Sequence, residues 1–274
     1  MKKIIHIITF LFLCSSYSQK LTKDISLSKK IDETSGLEIV DGQFITHNDS
    51  GGDPKLYYLD KEGKIVFERT LDGVKNNDWE DITKDDQFIY VANMGNNFDT
   101  RKNLSIVKTP IDPSSNKAEL IEFSYPEQVK FTTAYSQSQY DAEALITIDD
   151  YLIILTKNKL KKITEIYALP KIPGKYEAKK IGSLNTKSII TGGDYDQKNK
   201  LLALTGTLIF NEYYILKIEN FDLERKKDYK IDMYEIPIGK TQVEAIKIID
   251  SNTFWITSED EKSSSSARLM KIKL

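Results

Sequence analysis

The residues best equipped for chemistry in this chain are carboxylates set in pairs beside apolar runs. In YDAEAL (140–145), Asp141 and Glu143 flank Ala142, and Leu145 and Ile146 follow. The arrangement returns in altered form in ETSGLEI (33–39), DWEDI (78–82), GGDYD (192–196) and VEAIKI (243–248). Aligned on their apolar or aromatic residue, the five segments match at Leu37, Ile82, Leu145, Tyr195 and Ile246. In an extended chain alternate side chains share a side, so Asp141, Glu143 and Leu145 point one way and the small Ala142 and Ala144 the other. Acids placed like this serve as general acids and bases, or as oxygen ligands to a hard cation. At a strand end they also serve simply as a solvated cap.

The surrounding pattern says what must position them. A polar turn follows each segment (VDGQ, KDDQ, IDDY, DQKNK, IDSN), rich in residues that tolerate turn backbones. A second strand comes next: FITHND (44–49), FIYVANM (88–94), YLIILTK (151–157), LLALTGT (201–207) and TFWITSE (253–259). Third strands read KLYYLD, LSIVKTP, TEIYALP, YYILKIE and RLMKIKL. A weaker fourth reads IVFERTL (65–71), IEFSYPEQVKF (121–131), YEAKKIGSL (176–184) and DMYEIPI (232–238). Repeated units of four short strands without helical periodicity predict an all-β fold, a five-bladed β-propeller. The fifth unit stops after its third strand, and DISLSKK (24–30) is expected to supply the fourth, closing the ring and protecting its edge. Six blades is the alternative, because the long gap between Ile82 and Leu145 has room for a degenerate unit. An open β-solenoid is the third arrangement.

Residues 1–18 stand outside this pattern. A basic start (MKK), an apolar run (IIHIITFLFL) and small residues before Gln19 have the layout of a secretory signal peptide. The expectation is therefore a leader over 1–18 and one propeller domain over 19–274, exported to the periplasm or beyond. Lipoprotein anchoring through Cys14 is disfavoured by Leu13, which stands where a small residue is needed. No other stretch is apolar for long enough to span a bilayer. Without its leader the chain has no cysteine, so packing and not disulfides must hold it together. With Lys+Arg 39 against Asp+Glu 41 the chain is slightly acidic, which speaks against a nucleic-acid partner. A monomer is expected.

In a propeller the innermost strands run along the axis, and their starts share a face with the ends of the second strands. That face collects Glu33, Asp78, Glu80, Asp81, Asp141, Glu143, Asp194 and Glu244, with His47, Asn48, Asp49, Asn93, Asn96, Lys157, Thr205, Glu259 and Asp260. Two like charges about 4 Å apart cost roughly 1 kcal/mol in water and about four times that at an effective dielectric of 20. A divalent cation, a lysine or arginine, or raised pKa values must offset the repulsion. Ca²⁺ suits an all-oxygen donor set. Zinc does not, since one histidine and no thiol remain after the leader. HNDSGGD (47–53) contains the letters of a serine-hydrolase triad, but neighbours on one turn cannot form the relay and no nucleophile elbow surrounds Ser50. Trp79 reads as a blade-packing residue or as an aromatic floor. Arg101 reads as a surface arginine or as a clamp for an anion.

The ordered succession ETSGL, HNDSG, DWEDI, ANMGNN with Arg101, DAEAL and TGGDY resembles bacterial secreted β-propeller proteins akin to the phytase-like and gluconolactonase-like propellers. The resemblance implies calcium at the axis. Carried onto matching positions, it implies Glu80, Glu143 and Glu244 as ligands, with Asp194 replacing a glutamate in the fourth unit. The first unit departs, with Ser35 at the matching place and Glu33 two residues earlier. The lysines and histidines of the phosphate-releasing members are missing.

Two functions are carried forward. One is a metal-dependent hydrolase of a small ester, lactone or phosphoester, with Glu143 or Asp141 as general base and Lys157 or Arg101 stabilising developing negative charge. The other is a non-catalytic envelope module that binds a glycan, peptide or protein partner, its cation structural.

Overall fold

The computed structural model describes residues 19–209, 212–224, 228–239, 241–260 and 266–274. The expected leader, Cys14 included, lies outside the described residues. Five sheets form, and each begins with one acid-bearing segment as its innermost strand. Blade one comprises Thr34–Val40, Gln43–Asn48, Lys55–Leu59 and Ile65–Thr70; blade two comprises Trp79–Lys84, Phe88–Asn93, Leu104–Pro110 and Glu119–Ser124. Blade three comprises Ala142–Ile148, Tyr151–Thr156, Thr164–Pro170 and Lys179–Leu184; blade four comprises Ile189–Asp196, Leu201–Ile209, Glu212–Ile218 and Asp232–Glu235. Blade five is Val243–Asp250, Thr253–Ser258 and Arg268–Lys273, completed by Lys20–Ser26. All neighbours within these sets of four are antiparallel. The fold is a five-bladed β-propeller.

The apolar faces explain why the sheets associate. A sheet buried on both faces needs a partner on each side, and in a ring each blade has two. Five apolar clusters result, one between each pair of neighbours. Ile45, Leu56, Ile82 and Val91 join blades one and two, and Leu145, Ile154, Ile106 and Tyr90 join two and three. Leu204 and Ile153 join three and four, Ile215 and Ile256 join four and five, and Trp255 packs edge-on against Phe44 to close five onto one.

Three details differ from expectation. Closure uses Lys20–Ser26, a little upstream of DISLSKK, because Ser28 caps a short 3₁₀ turn at Lys29–Ile31 that ends the strand. The segment YEAKKIGSL is two strands. Gly174–Glu177 leaves blade three and pairs parallel with Glu119–Ser124 of blade two, and only Lys179–Leu184 stays in its own blade. Ala178, fully buried between them, donates its N–H to Ser124 O, so the crossing point is itself bonded. Finally, the strand expected over 121–131 ends at Ser124; a loop over residues 125–141 fills the rest of the long gap before Leu145, so the blades number five as expected and the six-blade alternative falls.

Candidate functional site: an acidic centre on the propeller axis

A β-bulge in each innermost strand builds the site. The register slips at Glu80, Glu143, Thr191 and Glu244, each of which lacks an opposing residue on the second strand. Blade one slips between Ser35 and Glu38. A bulge twists the strand and re-aims the extra side chain, which here is toward the axis. In blade one Gly36 takes φ +68, and a Cβ there would stand 2.8 Å from Ile82 N and from His47 Nε2. The contact fixes blade one against blade two, and the Ser35 hydroxyl donates to Glu80 O at 2.6 Å.

The face brings together Asp49, Asp78, Glu80, Asp141, Glu143 and Glu244. Two carboxylate trios, Asp49–Asp78–Glu80 and Glu80–Asp141–Glu143, place ligand oxygens within 4.8 Å of one another. Glu80 belongs to both. Gly95 makes this proximity feasible, since any side chain there would collide with the Glu80 and Asp78 carboxylates. The Asn96 N–H donates to Asp141 Oδ1 at 2.7 Å.

Three cations answer the acids unequally. Lys157 Nζ is hydrogen-bonded to Glu143 and lies 3.9 Å from Asp141 Oδ2. Burial alone would lower the Lys157 pKa, but the charges of Glu143, Asp141, Glu80 and Glu244 overturn this and hold it well above the usual lysine range. Lys159 Nζ sits 3.1 Å from Asp141 Oδ2 and bonds Asn97. Arg101 is largely spent on its own loop: its guanidinium donates to Gly95 O at 2.6 Å and to Asn93 O at 3.2 Å, and stays 3.8 Å from Asp78.

The remaining surplus of negative charge shows in the titration of the acids. Burial, then the Asp78, Glu143 and Glu259 charges, pushes Asp49 up to about 8. Burial followed by the charges of Glu143 and Asp49 drives Glu80 well above the carboxylate range. Glu244 is raised strongly by burial and then by Glu259 and Glu143. Glu143 is also raised by burial, with Lys157 opposing. Asp78 is raised by burial, and Arg101 opposes. Asp49 Oδ1 is buried without a hydrogen-bond partner.

Of the residues expected as ligands, Glu80 and Glu143 meet in one trio, while Glu244 joins through its charge coupling to Glu143 and Lys157. Asp194 stands apart. Alignment on Tyr195 was two residues out of register: Gly193 pairs with Leu204 as Leu145 pairs with Ile154, which places Thr191 at the bulge. Asp194 instead accepts from Lys247 Nζ at 3.0 Å and from the Ile248 N–H at 2.8 Å. Lys247 also bonds Glu38 at 2.8 Å, forming a separate ionic cluster further along the axis. Among the residues expected to be catalytic, Asp141, Glu143 and Lys157 are in mutual contact, and Arg101 braces the loop beside them. Trp79 is fully buried and packs edge-on to His47, so it is a packing residue. Burial holds the His47 pKa down to about 4, leaving the ring neutral.

Sequence reasoning missed Lys159 and Lys247. Lys159 follows Lys157 by two, the spacing that aims both at the paired acids Asp141 and Glu143. Lys247 sits three residues past the bulge, level with Glu38 and Asp194, and a register set on Gly193 would have exposed the match.

No protein-family profile and no curated protein matches the chain. In fold it is similar to the PQQ-bound form of aldose sugar dehydrogenase from Streptomyces coelicolor, with TM-score 0.51 and 11% identity over 93% of this chain and 98% of that one. It is also similar to exo-beta-1,3-galactanase from Phanerochaete chrysosporium, with TM-score 0.57 and 10% identity over 93% of this chain. This chain spans 64% of that protein.

Proposed function

We propose that the protein binds a divalent cation, calcium by its donor chemistry, at Asp49, Asp78 and Glu80, and that this face of the propeller receives an oxygen-bearing ligand. The observation that carries the reading is the Asp49–Asp78–Glu80 trio with its buried, unpartnered Asp49 Oδ1. All donors are hard oxygens, which fits Ca²⁺. The second trio is less available, because Lys157 and Lys159 already compensate Glu143 and Asp141. When bound, the ion would supply a Lewis acid to a ligand oxygen. The chain does the rest. Asp49, with its pKa at about 8, holds a proton at neutral pH and releases it to a cation, and burial with the Glu143 and Asp49 charges raises the proton affinity of Glu80 beside it. Lys157 fixes the Glu143 carboxylate, and the Asn96 N–H fixes that of Asp141.

Calorimetric titration of chelator-treated protein with CaCl₂, run in buffers of different ionisation enthalpy, tests this. The expected result is one ion bound with release of about one proton or more. No heat and no proton release at millimolar calcium overturns the reading.

Hydrolysis is the second reading, favoured by one feature: Glu143 and Asp141, both buried, share the partly buried Lys157, an environment that tunes a general base. Turnover on an ester, lactone and phosphoester panel that Glu143→Gln abolishes would establish it. The absence of turnover on all three leaves a binding module.

A further inference from the structure

The loop between the second and third strands of blade two (94–103) and the connection between blades two and three (125–141) together carry an exposed aromatic surface that the acidic centre does not use. Phe98 and Tyr135 are 53% and 50% exposed, with ring centroids 6.0 Å apart. Phe131 lies nearby in sequence, under Lys102 Nζ at 4.5 Å from its ring centroid. Aromatics exposed together are costly on a monomer and mark a site of contact.

This surface is built, not draped. Asp99, buried, accepts from the Ser138 hydroxyl at 2.7 Å and from the Gln139 and Tyr140 N–H groups at 3.1 Å each. Buried Gln128 donates to Asp99 O at 2.8 Å, and the Thr133 N–H donates to Phe98 O at 3.0 Å. Two loops from different parts of the chain are thus locked into one rigid shelf, and a preformed surface avoids the ordering cost of binding.

The shelf adjoins the acidic centre. One ammonium group, that of Lys159, lies 3.1 Å from Asp141 Oδ2 and 3.6 Å from the Tyr135 ring centroid. Ring and carboxylate therefore stand on either side of a single charge, and Asn97 accepts from the same group.

We propose that Phe98 and Tyr135 form a subsite for an uncharged sugar ring of an oligosaccharide whose hydroxyls reach toward the acidic centre. A pyranose offers an apolar face of C–H groups to an aromatic ring and a rim of hydroxyls to polar groups. The shelf and the centre supply those two surfaces side by side. Charge argues against a cationic ligand at Tyr135, because the chain's own Lys159 already lies over that ring and a second cation beside it would be repelled. This inference rests on the reading of the face as ligand-binding but needs no bound ion.

Native electrophoresis of the full chain through gels containing β-1,3-glucan, mixed-linkage β-glucan, xylan or β-galactan tests it, beside a gel without polysaccharide. At least one polysaccharide is expected to retard the protein. Phe98→Ala and Tyr135→Ala should each weaken retention tenfold or more, while Tyr135→Phe, which keeps the ring, should retain it. Melting curves check that the variants are folded, as half-exposed positions allow. Calcium uptake is measured on the same proteins. Retention without uptake sinks the ion reading alone. Uptake without retention sinks the sugar reading alone. Retardation that neither alanine variant reduces overturns the proposal. So does shelf-dependent binding of tetramethylammonium or of an apolar peptide when no polysaccharide retards the protein.

Discussion

Two clusters of buried charge lie along the same axis and are solved in opposite ways. Near the bulges, Asp49, Asp78, Glu80, Asp141, Glu143 and Glu244 outnumber Lys157, Lys159 and Arg101. Three residues past the bulges, Glu38 and Asp194 hold Lys247 between them, and Asp194 also accepts a backbone N–H. In both, burial raises an acid: Glu38 is pushed up by burial and pulled back by Lys247. The second cluster is satisfied by the chain alone. The first is left with acids whose carboxyls are raised by burial and by one another's charge. A buried acid finished by its own chain links blades, whereas a surplus left unfinished is held for something from outside.

Breaking the satisfied cluster should have the largest effect. Lys247→Met leaves Glu38 and Asp194 buried without their cation, and the expected loss is about 3–5 kcal/mol in denaturant unfolding. Calcium uptake per folded molecule should not change. The opposite substitution sharpens the contrast: Glu80→Gln should weaken calcium binding 100-fold or more by calorimetry. Metal-free stability should hold or rise, because the neutral amide removes a carboxyl whose charged form is disfavoured by burial and by the Glu143 and Asp49 charges.

The pH dependence follows from Asp49, whose pKa is about 8 in the folded protein against an ordinary 3.8. A raised acid binds its proton more tightly when folded. It therefore adds stability below the unfolded value and loses it progressively as pH rises toward 8. Metal-free protein should melt of the order of 5 °C lower at pH 8 than at pH 5. Asp49→Asn should flatten that slope, and calcium should restore the melting temperature at the alkaline end. The smallest effect is expected for Asp194→Asn. It leaves Lys247 paired with Glu38 and should cost about 1–2 kcal/mol with calcium affinity unchanged.

Much of this was legible in the sequence. Repeated acid–apolar segments with regular turns gave five blades, and the interrupted last unit pointed to closure by the N-terminal segment. Convergence of Glu80, Glu143 and Glu244 could be read because DWED, DAEA and QVEA keep one spacing. Blade four could not be read as easily. Its strand carries TGGDYD, and a strand repeats its facing every two residues, so a two-residue slip preserves inside and outside while moving Asp194 along the axis. Hydropathy does not register such a shift; only pairing with Leu204 does. The Gly174–Glu177 strand was hidden because its partner lies in another blade, beyond the reach of local pattern. The aromatic shelf depends on loops fixed by Asp99, and no periodicity announces a loop.

The strand Lys20–Ser26 zips against Arg268–Lys273, and Asp24 and Arg268, paired across this seam, stand 244 residues apart. Contacts so distant along the chain are the slowest to form, because the loop they close is the most costly in entropy. The last blade therefore cannot finish until synthesis has passed residue 268. Until then the nascent chain exposes two raw sheet edges, so this single seam is the point at which assembly is most open to mispairing.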